Sequence, residues 1–263
     1  MGFPVPIDRI QLNQERLIAA IGDSWSPAQV SAAVELLSNS EGKFPAGSRK
    51  LPSDLVSAVQ RERLIAGMLR AASELAYRDT SVQEVIERAG VSRPTFYEHF
   101  ANKEDCFLTA FDATAARLRA RVASAARRGG DSWRSRSRFG LEAVLHFTAA
   151  EPHAARTLVV EARAASVEAV MRRDELLDYF AGCIERQVHE LLPGAPSYSP
   201  ITTAGIVGGL EALLYSRLNS GESDDLDSLL PSMMYFLVLP FEGHEAASEE
   251  LAVTVREQLT HGS

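Results

Sequence analysis

Arg93, Thr95, Tyr97 and His99 crowd one short stretch, and together they offer a guanidinium fork, a hydroxyl beside a methyl, a phenol and an imidazole. Such groups donate hydrogen bonds to phosphate oxygens, and arginine and threonine also meet base edges in a DNA major groove. Lys103 follows as a further cation. Other chemistries are thinly supported. The chain has no glycine-rich phosphate loop and no His-Glu-x-x-His pair, and Cys106 and Cys183 stand far apart without His or Cys at metal-ligand spacing. Neither a disulfide framework nor a zinc site follows, and no metal or cofactor is expected. Both thiols read as buried in a reducing compartment.

Two short helices would position the four side chains. Ser81-Val82-Gln83-Glu84 has the spacing of a capping box, in which the serine accepts from an orphan amide and the glutamate reaches back. The helix it opens should stop near Arg88. There Ala89-Gly90-Val91 supplies a small residue and a glycine able to take left-handed backbone. Ser92 caps the next helix, Pro94 lies in its first turn where the missing N–H is no loss, and Asn102 caps the helix after that. Val82, Val85, Ile86, Val91 and Phe96 would knit the pair together, with Phe96 and Phe100 on the inward spacing. A capped helix, a three-residue turn and a second helix with a polar outer face make a helix-turn-helix.

The run from Thr80 to Phe100, with Asn102-Lys103-Glu104-Asp105 after it, closely resembles the DNA-binding domain of the TetR family of regulators. The resemblance covers about Val56 to Phe111 and rests on both caps, the turn glycine, the Phe-Tyr-x-His-Phe string and the Lys-Glu that follows. It implies that the second helix enters the major groove of double-stranded operator DNA. Arg93 and Thr95 would then face base edges, while Thr80, Ser81, Tyr97, His99 and Lys103 grip phosphates around the Ser92 cap and Pro94. His99 is equally open to plain packing. The family commonly has glycine where this chain has Ala76, before Tyr77, which leaves that helix end less free.

Apolar residues from Leu55 onward recur at three- and four-residue intervals, and almost no stretch alternates with period two, so the fold class is all-α. Three regions are expected: a helical extension and linker over 1–53, the helix-turn-helix domain over 54–102, and a helical ligand-binding and dimerisation domain over 103–263. Within the extension, 10–21 and 27–37 read as short amphipathic helices, with a Gly/Pro/Ser-rich linker after them. Arg49 and Lys50 there would either track DNA or be solvated. The net charge of -8, from 27 Lys and Arg against 35 Asp and Glu, would oppose nucleic acid if evenly spread. It is not: arginines crowd 117–138, serving DNA flanks or a solvated face, and acids collect late in the chain. No apolar run approaches the roughly 20 residues that span a bilayer, and no export signal opens the chain, so a cytoplasmic protein is expected.

Helix order beyond the reader, matched to the same family, implies a homodimer formed through the last long helices. The residues expected at that interface are Ile206, Leu210, Leu213, Leu214, Leu230, Met233, Met234 and Leu237. Their segments are apolar around most of the helix circumference, so something must cover both sides. The intervening helices would enclose a cavity for a small apolar effector. Phe111, His146, Phe147, Phe180, Cys183 and Gln187 are its expected lining. The function implied is a regulator, a repressor in the family's commoner mode, that leaves operator DNA when the effector binds. Two rivals stand beside it. One is a helical interaction module that has lost DNA binding. The other is a serine esterase using Ser24, since Gly22-Asp23-Ser24 is similar to the nucleophile block of one esterase class, although here the serine lies between helices and not after a strand.

Overall fold

The computed structural model describes residues 26–38, 52–195, 198–220 and 225–261, and all regular structure among them is helical. The expected helix at 10–21, the linker and the Gly22-Asp23-Ser24 segment lie outside the described residues. The chain divides into two compact units, one reaching Asp112 and taking in 164–166, the other built from 113–163 and 167 onward.

In the first unit α1 (Pro27–Ser38) packs on α2 (Ser53–Leu75) and buries Ala33 and Val34. Then come α3 (Val82–Ala89), α4 (Arg93–His99) and the start of α5 (Lys103–Ala126), which runs on into the second unit. Gly67 on α2 lets α3 approach closely, because a Cβ there would lie 2.7 Å from the Val85 carbonyl oxygen. Arg88 ties the same pair of helices from outside, its Nη2 donating to Glu74 at 2.8 Å. Between them Leu64, Ile65, Met68, Val85, Phe96 and Phe107 form a dry centre.

Ala76, which ends α2, has φ 66° and ψ 147°, a combination that L side chains avoid. The strain follows from the substitution of alanine where glycine would be at ease. Ala76→Gly should therefore raise the stability of this unit by about 1 kcal/mol, the relief of left-handed strain less the extra chain entropy of glycine. Thermal and urea unfolding of the variant check it, and a lower midpoint would contradict it.

The second unit contains the rest of α5, then α6 (Trp133–Ala150), α7 (Pro152–Arg156), a π-helical segment (Thr157–Glu161), α8 (Ala162–Ala165), α9 (Val167–Leu191), α10 (Pro200–Ser220) and α11 (Leu230–His261). The π segment thus interrupts the helical run over 152–165. The last element, α11, is bent at Gly243, whose φ of 84° breaks the helical path. Arg134 of α6 holds Glu242 just before the bend, and Arg138 holds Glu250 and Glu257 beyond it. Trp133 and Tyr198 meet Phe241 edge to face, with centroids 5.6 and 4.9 Å away, so the start of α6 lies beside the passage from α9 to α10.

Within one chain the expected dimer residues lie mostly inward. Ile206, Leu210, Leu214, Leu230, Met233, Met234 and Leu237 are all buried in the core of their own unit, and Leu213 alone is exposed. The large apolar residues of α10 satisfy the chain's own interior first. Left facing outward are Ala204, Gly205, Ala212, Leu213 and Phe236.

Candidate nucleic-acid interface and internal cavity

Both caps of the reader form as their residue types require. The Ser81 side chain accepts from the Glu84 N–H, and Glu84 Oε2 accepts from the Ser81 N–H at 2.6 Å. The serine hydroxyl and backbone hold the Glu84 carboxyl below the usual carboxylate range. Gly90 takes φ 63°, and its N–H and that of Val91 return to carbonyls of the last turn of α3. Ser92 accepts from the Thr95 N–H, and the two hydroxyls lie 2.8 Å apart. With seven residues, α4 could not hold its shape alone. Phe96 anchors it, fully buried and 5.8 Å from the Phe100 ring.

Arg93 and Pro94 are exposed, Tyr97 is 52% exposed, and Ser81 and Ser92 also reach solvent. The Arg93 guanidinium makes no hydrogen bond or ion pair among the described residues. Three other expected DNA residues are placed differently. Thr80 is 3% exposed, and its hydroxyl donates to the Ala76 carbonyl at 2.9 Å. The Lys103 ammonium donates to the Tyr77 and Thr80 carbonyls at 3.0 and 2.8 Å and sits 4.2 Å from the Tyr77 ring centre. His99 has Nε2 buried without a partner, and burial lowers its pKa, so the imidazole is neutral at neutral pH. The side chains of Thr80 and Lys103 thus brace the turn between α2 and α3, because a buried carbonyl needs a donor. Sequence spacing put them on the correct segment and could not show which way they turn.

The second unit contains a cavity of about 150 Å³, lined by α5, α6, α9 and α10 with smaller parts of other elements. Phe147, Phe180, Cys183 and Gln187 line it; His146 does not, and Phe111 is buried in the first unit. Small residues on the inner face of α6, Ser137 and Gly140, leave the space that larger ones would fill. That face, with Leu141, Val144, Phe147 and Thr148, follows helical spacing and was readable in principle, but only the packing shows that nothing opposite fills it. Arg173 and Glu211 at the wall also escaped the sequence. Glu211 is buried between Arg163 and Arg173, with Arg173 Nη2 at 2.9 Å, and Arg173 Nη1 also meets Asp174 at 2.8 Å, so at that wall two arginines balance two carboxylates. Cys183 accepts from Arg186 at 3.1 Å, whereas Cys106 is fully buried and its thiol is pushed up by burial. Among the described residues no cluster of three or more His, Cys, Asp or Glu could hold a metal, and no helix is long and apolar enough to cross a membrane.

A second polar cluster joins α5 to the cavity wall. Glu151, between α6 and α7, is ion-paired with Arg117 and Arg121, both at 2.8 Å, and the Arg121 guanidinium lies 5.3 Å from the centre of the cavity-lining Phe147 ring.

Residues 64–110 match the family described as bacterial regulatory proteins, tetR family. The HTH-type transcriptional activator FasR of Mycolicibacterium smegmatis is 30% identical over 105 residues, 40% of this chain and 48% of FasR. The chain's match thus spans about half the length of that curated relative. Among solved structures, the fatty acid degradation regulator FadR from Bacillus halodurans superposes with a TM-score of 0.62 at 18% identity, covering 68% of this chain and 94% of that one. FadR from Bacillus subtilis, in complex with stearoyl-CoA, gives 0.59 at 18% identity over 69% of this chain and 99% of that one. A TetR-like regulator from Rhodococcus sp. RHA1 gives 0.55 at 20% identity over 69% and 95%. At these identities the likeness is one of fold: a helix-turn-helix domain followed by a larger helical domain.

Proposed function

We infer that this chain, which belongs to the TetR family through its DNA-reading segment, is a dimeric cytoplasmic regulator that a long apolar ligand detaches from operator DNA. The observation that carries the DNA half is the free, exposed Arg93 guanidinium at the head of a rigidly capped helix. Arginine reads guanine bidentately, and a fork with no internal partner gives up nothing to do so. Thr95 lies beside it, Ser81 and Tyr97 stand ready for phosphates, and Thr80 and Lys103 keep the turn in shape. This favours a working reader over a module that has lost DNA. The family match and the helical fold set the chain among regulators and not enzymes. Where the operator overlaps a promoter, the outcome is repression.

The ligand half is supported by the cavity. Its void is close to the size that admits one benzene ring, yet its lining on α6 extends from Arg136 to Thr148, roughly 18 Å at the helical rise. A space so thin takes a chain only if its walls move apart. FadR of Bacillus subtilis, with stearoyl-CoA bound, makes a fatty acyl chain the natural candidate. Occupancy would press on Phe147 and, through Arg121 and Glu151, on α5, biasing the reader toward a form that no longer fits the operator.

Selection of bound sequences from random DNA tests the DNA half, and a palindrome is the expected result. On the selected site, Arg93→Ala should relax preference at one position per half-site at a cost of about 1–3 kcal/mol, while Tyr97→Phe weakens all sequences alike. Identical profiles for the two variants would overturn the assigned roles.

A further inference from the structure

One end of the cavity is chemically unlike the rest. Ser137 on α6 and Gln187 on α9 both line it at the end where the start of α6 meets the last turns of α9. Ser137 is 8% exposed and its hydroxyl has no hydrogen bond among the described residues; Gln187 Oε1 is buried without a partner. Other polar groups at the wall are engaged. Thr148 donates to Val144, Arg173 is held by Glu211 and Asp174, and Arg136 is taken up by the Gly130 carbonyl. Two idle polar groups in an apolar cavity are costly unless something completes them.

We propose that Ser137 and Gln187 form a head-group subsite that hydrogen-bonds the neutral carbonyl end of an acyl chain, whose tail runs toward Arg173 and Glu211. This rests on the ligand reading above and adds the ligand's polarity, direction and length. The hydroxyl donates to a carbonyl oxygen, and the glutamine amide takes a neighbouring N–H or, turned over, gives a second donor. The cation at this end among the described residues, Arg136, gives its Nε–H to the Gly130 carbonyl and faces Asp131 at 4.0 Å, so the subsite fits an ester, thioester or amide better than a carboxylate anion. From Arg173 to Gln187 α9 advances about 21 Å, and α6 covers about 18 Å. An extended chain gains about 1.2 Å per bond, which gives roughly fifteen to seventeen bonds from the carbonyl oxygen to the chain end.

The probes are straight-chain N-acetylcysteamine thioesters from eight to eighteen carbons, the matching free acids, and n-tetradecane, all read by displacement of an apolar dye from the full chain. Thioester affinity should rise about fourfold per methylene and level off at roughly fifteen to seventeen carbons, with the free acids weaker throughout. Gln187→Leu should lose about tenfold for the thioesters and bind tetradecane undiminished, and Ser137→Ala should lose less in the same direction. Undiminished tetradecane binding also shows that each variant is folded. Equal thioester affinity in wild type and both variants, or acids binding as tightly as thioesters, would overturn the subsite while leaving the cavity as a ligand site. Failure of every probe to bind the wild type would overturn the ligand reading itself.

Discussion

Gly208→Glu should turn the protein into a well-folded monomer that has lost most of its operator affinity. A Cβ at Gly208 meets nothing within 4 Å among the described residues, and a helix interior favours glutamate over glycine by roughly 0.5 kcal/mol. The fold is therefore spared. Gly208 belongs to the outward strip of α10 that includes Ala204, Gly205 and Ala212 beside Leu213 and Phe236, the surface left once the large apolar residues have filled their own core. Small residues let two helices approach closely, and across a two-fold axis one glutamate becomes a pair of like charges in a dry contact. Two readers acting together gain about 10²–10⁴ over one, so operator affinity should fall by that order. Sedimentation and DNA titration check it. A variant that stays dimeric with native affinity places the interface elsewhere.

The second large effect is expected at Glu151. Its carboxylate is buried between two mostly buried arginines, Arg117 and Arg121. Glu151→Ala leaves both cations without their partner, a change that destabilises by about 3–5 kcal/mol. For a chain of this size the melting temperature should drop by on the order of 10 °C. Glu151→Gln keeps the shape and should fall between. The combined variant Glu151→Leu, Arg117→Leu, Arg121→Met removes all three charges at similar volume and should regain most of the stability. If the cluster also carries the signal from Phe147 to α5, that stable triple variant will bind operator and ligand but no longer release one on binding the other. Normal release by the triple variant would mean that the signal travels by packing alone.

The two results bear on different joints of the molecule. In the proposed function, dimerisation would set how the readers combine, and the Glu151 cluster would link Phe147 to α5. Neither the outward strip nor the cluster stands out in the sequence. Ala204, Gly205, Gly208 and Ala212 look like filler among larger residues, and Glu151 precedes a proline where it passes for turn chemistry.

By itself the sequence determined everything that depends on neighbours along the chain. Serine caps at Ser81 and Ser92, the left-handed glycine at Gly90 and helical spacing of apolar residues are local requirements, so the helix-turn-helix and the all-helical class were legible residue by residue. Only the tertiary structure decided which side chains remain free. Lys103 and Thr80 sit on the correct segment, yet carbonyls from the end of α2 and the turn beyond it claim them. Leu210 and Met233 are apolar enough for an interface, yet their own core takes them. Ser137 and Gln187 are idle because no residue from another helix happens to face them. The physical reason is common to all three: helix formation is settled within one turn, whereas burial and hydrogen-bond satisfaction depend on groups far away in the chain.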